Sequence, residues 1–277
     1  MRWFASSVLC AALVACTVSE PVQEEVGALQ PADVLYVGNA GILVAHGQTK
    51  ILFDPLYQND YGQYQLVPPE LRTLLLEADG PFSDIDAILI SHAHGDHFNA
   101  ADLISFHAAH PDAFIIAPPQ ALDTLLATGA VGDGMAARFI PMGLDYGDDP
   151  LRVALQDMTV EAVRIPHAGG AQRRSIENMV YRVTLGDTAT VIHMGDADPA
   201  DAHFAPYENY WQAARTDAAF PPYWFFLSEA GTAILETRIN AAGAIGVHVP
   251  VEAPANLVAT GQDFFHSPGE VRQISVE

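Results

Sequence analysis

Apolar residues along this chain fall in short blocks, not in one long helical stripe. Stretches at 34–37, 42–45 and 51–53 are separated by glycine-containing turns, which predicts strand, turn and strand. A polar loop from residue 59 leads to Pro68-Pro69 and a helix over 70–78, with Leu71, Leu74 and Leu75 on one face. The run 85–90, apolar except for Asp86, predicts a buried strand that stops at Ser91-His92-Ala93-His94-Gly95-Asp96-His97. Asn99 is placed to cap a helix running to about residue 110. A strand follows at 113–117, and Pro118-Pro119 opens a helix to about residue 128. Alternating strand and helix predicts an α/β fold.

The second half returns to strands. A strand at 160–165 precedes Pro166-His167, and strands at 179–185 and 190–194 flank Gly186-Asp187, a hairpin signal. The pattern then gives a helix over 202–215 with Phe204, Tyr207 and Trp211 on its core face. A buried strand at 224–227, a helix over 229–240, a strand at 244–249 ending near His248 and a closing segment 269–276 follow. Nothing after residue 31 reads as a linker or a repeat, so 32–277 is expected to form one domain.

Composition narrows the function classes. With 34 acids against 12 bases the net charge is −22, which argues against a nucleic-acid partner. Lys50 is the single lysine, so there is no polybasic membrane patch. Half the chain is apolar, which excludes a disordered protein. The two cysteines are Cys10 and Cys16, so no later residue offers a disulfide or a thiolate ligand.

Residues 1–16 place Arg2 before about a dozen small and apolar residues. That is the size of a signal-peptide core and short for a bilayer span. Residues 17–31, with Glu20, Pro21, Glu24 and Glu25, read as a tether. Leu13-Val14-Ala15-Cys16 resembles the bacterial lipobox. The resemblance implies a lipoprotein signal peptide over 1–16, lipidation at Cys16 and a membrane-tethered protein of the bacterial cell envelope. Thr17 in place of Asp after that cysteine favours the periplasmic face of the outer membrane.

The chemistry is concentrated in His92-x-His94-x-Asp96-His97. A divalent ion needs several imidazole nitrogens and carboxylate oxygens converging in space, and a short loop at a strand end can aim them together. Gly95 is expected to let the backbone turn tightly between ligands. Three further candidates each follow an apolar run: His167, Asp196 and His248. Taken singly, a lone histidine is more often structural and a Gly-Asp pair is usually a turn. Together with the loop they are enough for two metal ions.

In this order the residues resemble the metallo-β-lactamase superfamily, over about residues 33–276, which implies a four-layer αββα sandwich. The opening VLYVGNAGILVAHGQTKILFDP and the closing AAGAIGVHVP are most similar to the branch of L-ascorbate-6-phosphate lactonase and the phospholipase-D-type hydrolases of N-acyl-ethanolamine lipids. The resemblance implies that His92, His94 and His167 hold one metal, that Asp96, His97 and His248 hold the second, and that Asp196 bridges them. Asp54 would support the ligand loop from behind. The implied reaction is hydrolysis of a lactone, phosphodiester or related ester by a hydroxide held between two divalent ions, with Asp96 and Asp196 catalytic. Zinc is favoured by the histidine-rich set, with manganese or iron as alternatives. The substrate would be a small or lipid-like molecule, and the enzyme a poor β-lactamase. Two alternatives stay open: a di-iron redox enzyme on the same fold, and a non-catalytic metal-binding envelope lipoprotein. His193, Asp198, Asn178 and Tyr181 carry no assigned role, and His107 and His110 are read as cations suited to a helix C-terminus.

Overall fold

The computed structural model describes residues 33–186 and 188–276. The expectations for the signal peptide, for Cys16 and for the tether lie outside the described residues, as does Asp187 of the hairpin turn.

Two sheets pack face to face. The first contains β1 (Asp33–Gly38), β2 (Gly41–His46), β3 (Thr49–Phe53), β4 (Ala87–Leu89), β5 (Phe114–Ala117) and β6 (Phe139–Pro141). The second contains β7 (Leu151–Leu155), β8 (Met158–Arg164), β9 (Met179–Leu185), β10 (Ala189–His193) and β11 (Ala218–Phe220). The last strand, β12 (Val271–Gln273), returns to the first sheet, whose order is β12-β1-β2-β3-β4-β5-β6, and the second runs β11-β10-β9-β8-β7. Strands β1 to β3 pair antiparallel, whereas β3 to β6 are parallel and need helical crossovers.

Alternate residues of each strand serve two different cores. Val34, Tyr36, Ile42 and Phe53 meet Val160, Tyr181, Val183 and Phe220 between the sheets. Leu35, Val37, Leu43 and Leu52 point the other way, where α1 (Pro69–Glu77), α2 (Ala100–Ala109) and α3 (Pro119–Leu126) cover them. On the far side of the second sheet, Val163, Val180 and Ile192 pack on Phe204, Trp211, Phe225 and Leu257. Helices therefore cover both outer faces, giving four layers, and strands buried on both faces read as unbroken apolar runs. Asn99 caps α2 as expected, accepting the Asp102 N–H at 3.0 Å.

Several expectations change. The single helix over 202–215 is three short pieces (Asp201–Phe204, Ala205–Tyr207 and Glu208–Gln212), because Pro206 lacks the N–H that would carry the ladder through. The 224–227 run is a 3-10 turn, Tyr223–Leu227, entered from Pro221-Pro222. The helix over 229–240 is α-helical to Ala233 and then widens into a π-turn, Ile234–Arg238. Residues 244–249 are extended but make only isolated bridges, since the facing Pro221 and Pro222 cannot donate. Strands β6, β7 and β11 lack a sequence signal: two are three residues long and β7 is only partly buried. Burial lowers the pKa values of both His107 and His110, against the cationic role expected of them, and His110 Nε2 donates to Leu75 O (2.8 Å), tying α2 to α1. Among the described residues, no helix is long and apolar enough to cross a membrane.

Candidate metal centre

The seven candidate ligands meet at one rim of the sandwich. The loop after β4 supplies His92, His94, Asp96 and His97. His167 follows β8, Asp196 follows β10, and His248 comes from the extended segment beside β11. Their donor atoms form two groups, each within 4.8 Å: His92, His94, His167 and Asp196 in one, and Asp96, His97 and His248 in the other.

Asp196 stands between the groups. Its Oδ2 is 3.2 Å from His167 Nε2 and 3.9 Å from His92 Nε2. Its Oδ1 is 3.2 Å from both His97 Nε2 and His248 Nε2. Within the first group, His94 Nδ1 lies 3.0 Å from His92 Nε2 and 3.1 Å from His167 Nε2. Within the second, His248 Nε2 lies 3.1 Å from His97 Nε2 and 3.2 Å from Asp96 Oδ2. A tetrahedral ion with bonds of about 2.0–2.1 Å sets its donors roughly 3.3 Å apart, so both groups have the right size.

The hydrogen bonds behind the ligands fix which nitrogen faces inward. Ser91 Oγ donates to Asp54 Oδ2 (2.5 Å) and accepts from His92 Nδ1 (3.0 Å). His97 Nδ1 donates to Asp54 Oδ2 (2.8 Å), and His167 Nδ1 donates to Ala168 O (2.6 Å). The inward Nε2 atoms of His92 and His167 therefore present lone pairs, which suit a cation and not each other. Asp96 Oδ1 is buried with no hydrogen-bond partner among the described residues. The residues fit a pair of divalent ions.

Electrostatics agree with this donor set at His92, His94, Asp96 and Asp196. Burial, then the neighbouring His97, pushes His92 well below the usual imidazole value. Burial, then His167, brings His94 to about 4. Burial alone would raise the Asp196 carboxyl, but His248 and His97 hold it well below the carboxylate range, and Asp96 is lowered through the His248 hydrogen bond against the same burial. His97 goes up, because Asp196 and Asp54 outweigh its burial.

Residues without a sequence-level role turn out to support the ligands. Asn178 Oδ1 accepts the Asp196 N–H (2.9 Å). His193 donates from Nε2 to Ala40 O (2.9 Å), and its Nδ1 accepts the Gly195 N–H at 3.3 Å. Tyr181 OH donates to Ile90 O (2.9 Å), fixing the end of the strand that launches the ligand loop. Asn39 binds the Asp96 carbonyl through Nδ2 (2.8 Å), and its own carbonyl accepts the His248 N–H (2.8 Å). Gly195 has φ +52, and a Cβ there would lie 2.4 Å from Asn178 Oδ1. Gly95 lies in the expected tight turn, which the His97 N–H to His94 O bond closes (3.0 Å). It is not left-handed; a Cβ would meet Asn59 Cβ at 3.2 Å, so the glycine serves a close approach. Asp198 turns onto its own loop, accepting the Ala200 N–H at 3.1 Å. Phe204, Trp211 and Phe225 are buried in the core, but Trp224 lies edge-on to His248 at 5.3 Å and donates to Ala197 O (3.0 Å). These partners come from distant segments, and no local spacing announces them.

The centre opens on one side into a cleft of about 280 Å³ lined by His94, Asp96, Asp196 and His248 together with Tyr61, Gln63, Tyr64 and Arg173. Tyr64 packs edge-on against His248, ring centres 4.2 Å apart.

A family model described as a beta-lactamase superfamily domain matches residues 49–246. Protein Rv0786c of Mycobacterium tuberculosis is 29% identical over 223 residues, which is 79% of this chain and 84% of that protein. A structure described as "a possible metal-dependent hydrolase" from Veillonella parvula superposes with a TM-score of 0.60 at 15% identity, covering 88% of this chain and 100% of that one. CmlA, a diiron β-hydroxylase from Streptomyces venezuelae, gives a TM-score of 0.55 at 14% identity, covering 89% of this chain and 55% of that one. At these identities the likeness is one of fold, and one fold hosts different chemistries. With the family match spanning most of the two-sheet body and the histidine–aspartate rim described above, the chain belongs to the beta-lactamase superfamily domain family.

Proposed function

We propose that this protein is a binuclear, metal-dependent hydrolase of a lactone, a phosphodiester or a related ester. The observation that carries the proposal is the placement of Asp196, one carboxylate oxygen toward each histidine group. Divalent ions bound there supply Lewis acidity toward a substrate oxygen and lower the pKa of water toward neutrality.

The chain's own residues do the rest. His92, His94 and His167 on one side, and Asp96, His97 and His248 on the other, offer fixed donors that need no rearrangement. Asp196 sets the spacing between the groups. Asp96, a carboxylate that lines the cleft, is the group available to take a proton from an attacking water. Five imidazoles against two carboxylates favour zinc over a carboxylate-rich di-iron centre. All seven ligands are present and pre-aimed, which favours an enzyme over a binding protein that has lost its chemistry.

Localisation follows from the first residues. A lipid on Cys16 would tether the hydrolase domain to the cell envelope, at the periplasmic face of the outer membrane, through the polar segment 17–31.

Two measurements on the purified protein test the enzymatic reading: metal content by emission spectrometry, and hydrolysis of lactones, phosphodiesters and esters. The expected result is about two equivalents of zinc per chain and turnover of at least one class. One ion at full occupancy, or no hydrolysis by the fully loaded protein, defeats the proposal.

A further inference from the structure

The cleft over the ligand groups holds a single arginine, Arg173. It ends the 3-10 turn Ala171–Arg173 on the loop that follows His167. This is an acid-rich chain in which Arg72, Arg138, Arg182 and Arg238 are each engaged by a carboxylate within 3 Å. Arg173 has no carboxylate within ion-pair distance among the described residues.

The loop is shaped to hold this side chain in place. Gly169, at φ +106, occupies a region that L side chains rarely adopt, and a Cβ there would stand 2.9 Å from Arg173 Cδ. The missing Cβ lets the end of the Arg173 side chain, from Cδ to Cζ, lie across its own loop at the edge of the cleft. From the other side comes Tyr64. An antiparallel bridge to Pro250 and the Val251 N–H to Gln63 O bond (2.8 Å) pin its segment, and its ring rests on His248. The Tyr64 hydroxyl has no hydrogen-bond partner among the described residues. One cationic and one neutral donor thus line the open side of the site without a protein acceptor among the described residues, and a guanidinium matches an anionic oxygen pair in geometry and charge.

The geometry points to Arg173 and Tyr64 as the pair that holds an anionic group of the substrate above the metal ligands. That group is either a non-bridging phosphodiester oxygen or a carboxylate beside a lactone carbonyl. The choice of substrates rests on the hydrolase reading above; the binding of the anion does not.

Kinetics of the zinc-loaded protein separate the sources, with bis(p-nitrophenyl) phosphate, a carboxylate-bearing lactone and an uncharged lactone of equal ring size as substrates. Arg173→Ala should lose at least about tenfold more kcat/KM on one charged substrate than on the uncharged lactone, mainly through KM, and Arg173→Lys should recover part of the loss. The charged substrate that shows the effect names the source. Calorimetric titration of inorganic phosphate gives a readout free of turnover: Kd should weaken about tenfold in Arg173→Ala and about threefold in Tyr64→Phe. Equal losses on charged and uncharged substrates, or an unchanged phosphate Kd in Arg173→Ala, overturn the assignment. A wild type that binds phosphate through Arg173 but hydrolyses none of the three leaves the anion site standing and defeats the hydrolase reading instead.

Discussion

Asp54 accepts the Nδ1 proton of His97 at 2.8 Å, with both side chains wholly buried. The same carboxylate accepts the Ser91 N–H (2.7 Å) and the Ser91 hydroxyl, which in turn holds His92. One side chain therefore orients an imidazole in each ligand group. Asp54→Ala should weaken metal affinity about 10- to 100-fold. It should also destabilise the metal-free protein by roughly 2–3 kcal/mol, since the buried Ser91 N–H loses its acceptor. Chelator competition and urea unfolding measure the two effects, and wild-type metal affinity in this variant would remove Asp54 from the support of the site.

Gly195→Ala should be far more damaging than Gly186→Ala, although both glycines are left-handed. A Cβ at Gly195 would lie 2.7 Å from Ser91 Cβ as well as against Asn178, whereas Gly186 has nothing within 4 Å. A loss of about 3 kcal/mol or more is expected at Gly195, with displacement of Asp196, against about 1 kcal/mol at Gly186. Similar unfolding midpoints for the two variants would contradict this packing.

Acid should weaken the metal-free fold well before its carboxylates titrate. Folded, His94 stays neutral to about pH 4, and His92 is also held well below its ordinary value; unfolded, each takes a proton near pH 6.5. Between those values the unfolded chain holds more protons, so stability falls as pH falls. His97 acts in the opposite sense, but with a raised folded pKa its contribution is complete below about pH 6.5 and constant in this window. Asp96 and Asp196, both lowered, lose theirs only below about pH 4. Urea midpoints in chelator at about pH 6, 5.5 and 5 should decline in that order, and a flat or rising series would refute the assignment.

Much of this was legible beforehand because the ligand loop is contiguous. His92, His94, Asp96 and His97 lie within six positions at the end of an apolar run, so spacing alone pointed at a metal. His167, Asp196 and His248 were found by their places after apolar runs and by the family pattern. Asn39, Asn178 and His193 carried no such mark, since each acts through a contact with a segment remote in sequence. The outer layer over the second sheet is the least legible part of the fold. Its helices are short pieces broken by Pro206 and by a π-turn, and apolar periodicity needs longer elements to declare itself.

Hydrolysis of a phosphodiester or lactone should exceed that of penicillins or carbapenems by at least about 100-fold in kcat/KM, or roughly 2.7 kcal/mol of transition-state preference. A carboxylate set between the ligand groups suits paired ions acting on attacking and leaving oxygens, whereas a β-lactam leaves through nitrogen. Asp196→Ala should remove most activity while the sandwich stays folded. Comparable efficiency on a carbapenem, or full activity and two metals in Asp196→Ala, would reverse this expectation.

Cys16→Ser should move the protein from the membrane fraction to the soluble one while leaving the domain folded, because acyl chains on that residue would be the anchor. Fractionation with a conformation-sensitive antibody measures it, and a variant that still sediments with membranes places the anchor elsewhere.

The ligands are drawn from both sheets: His92, His94, Asp96 and His97 from the first, and His167, Asp196 and His248 from the second or its edge. Ions bound among them would rivet the two halves of the sandwich across more than a hundred and fifty residues of chain between His92 and His248. Binding confined to the folded form adds to its stability by mass action, so metal supply would govern how long the molecule survives heat and proteolysis as well as how fast it turns over. A cell short of that metal would then lose the protein itself along with its activity.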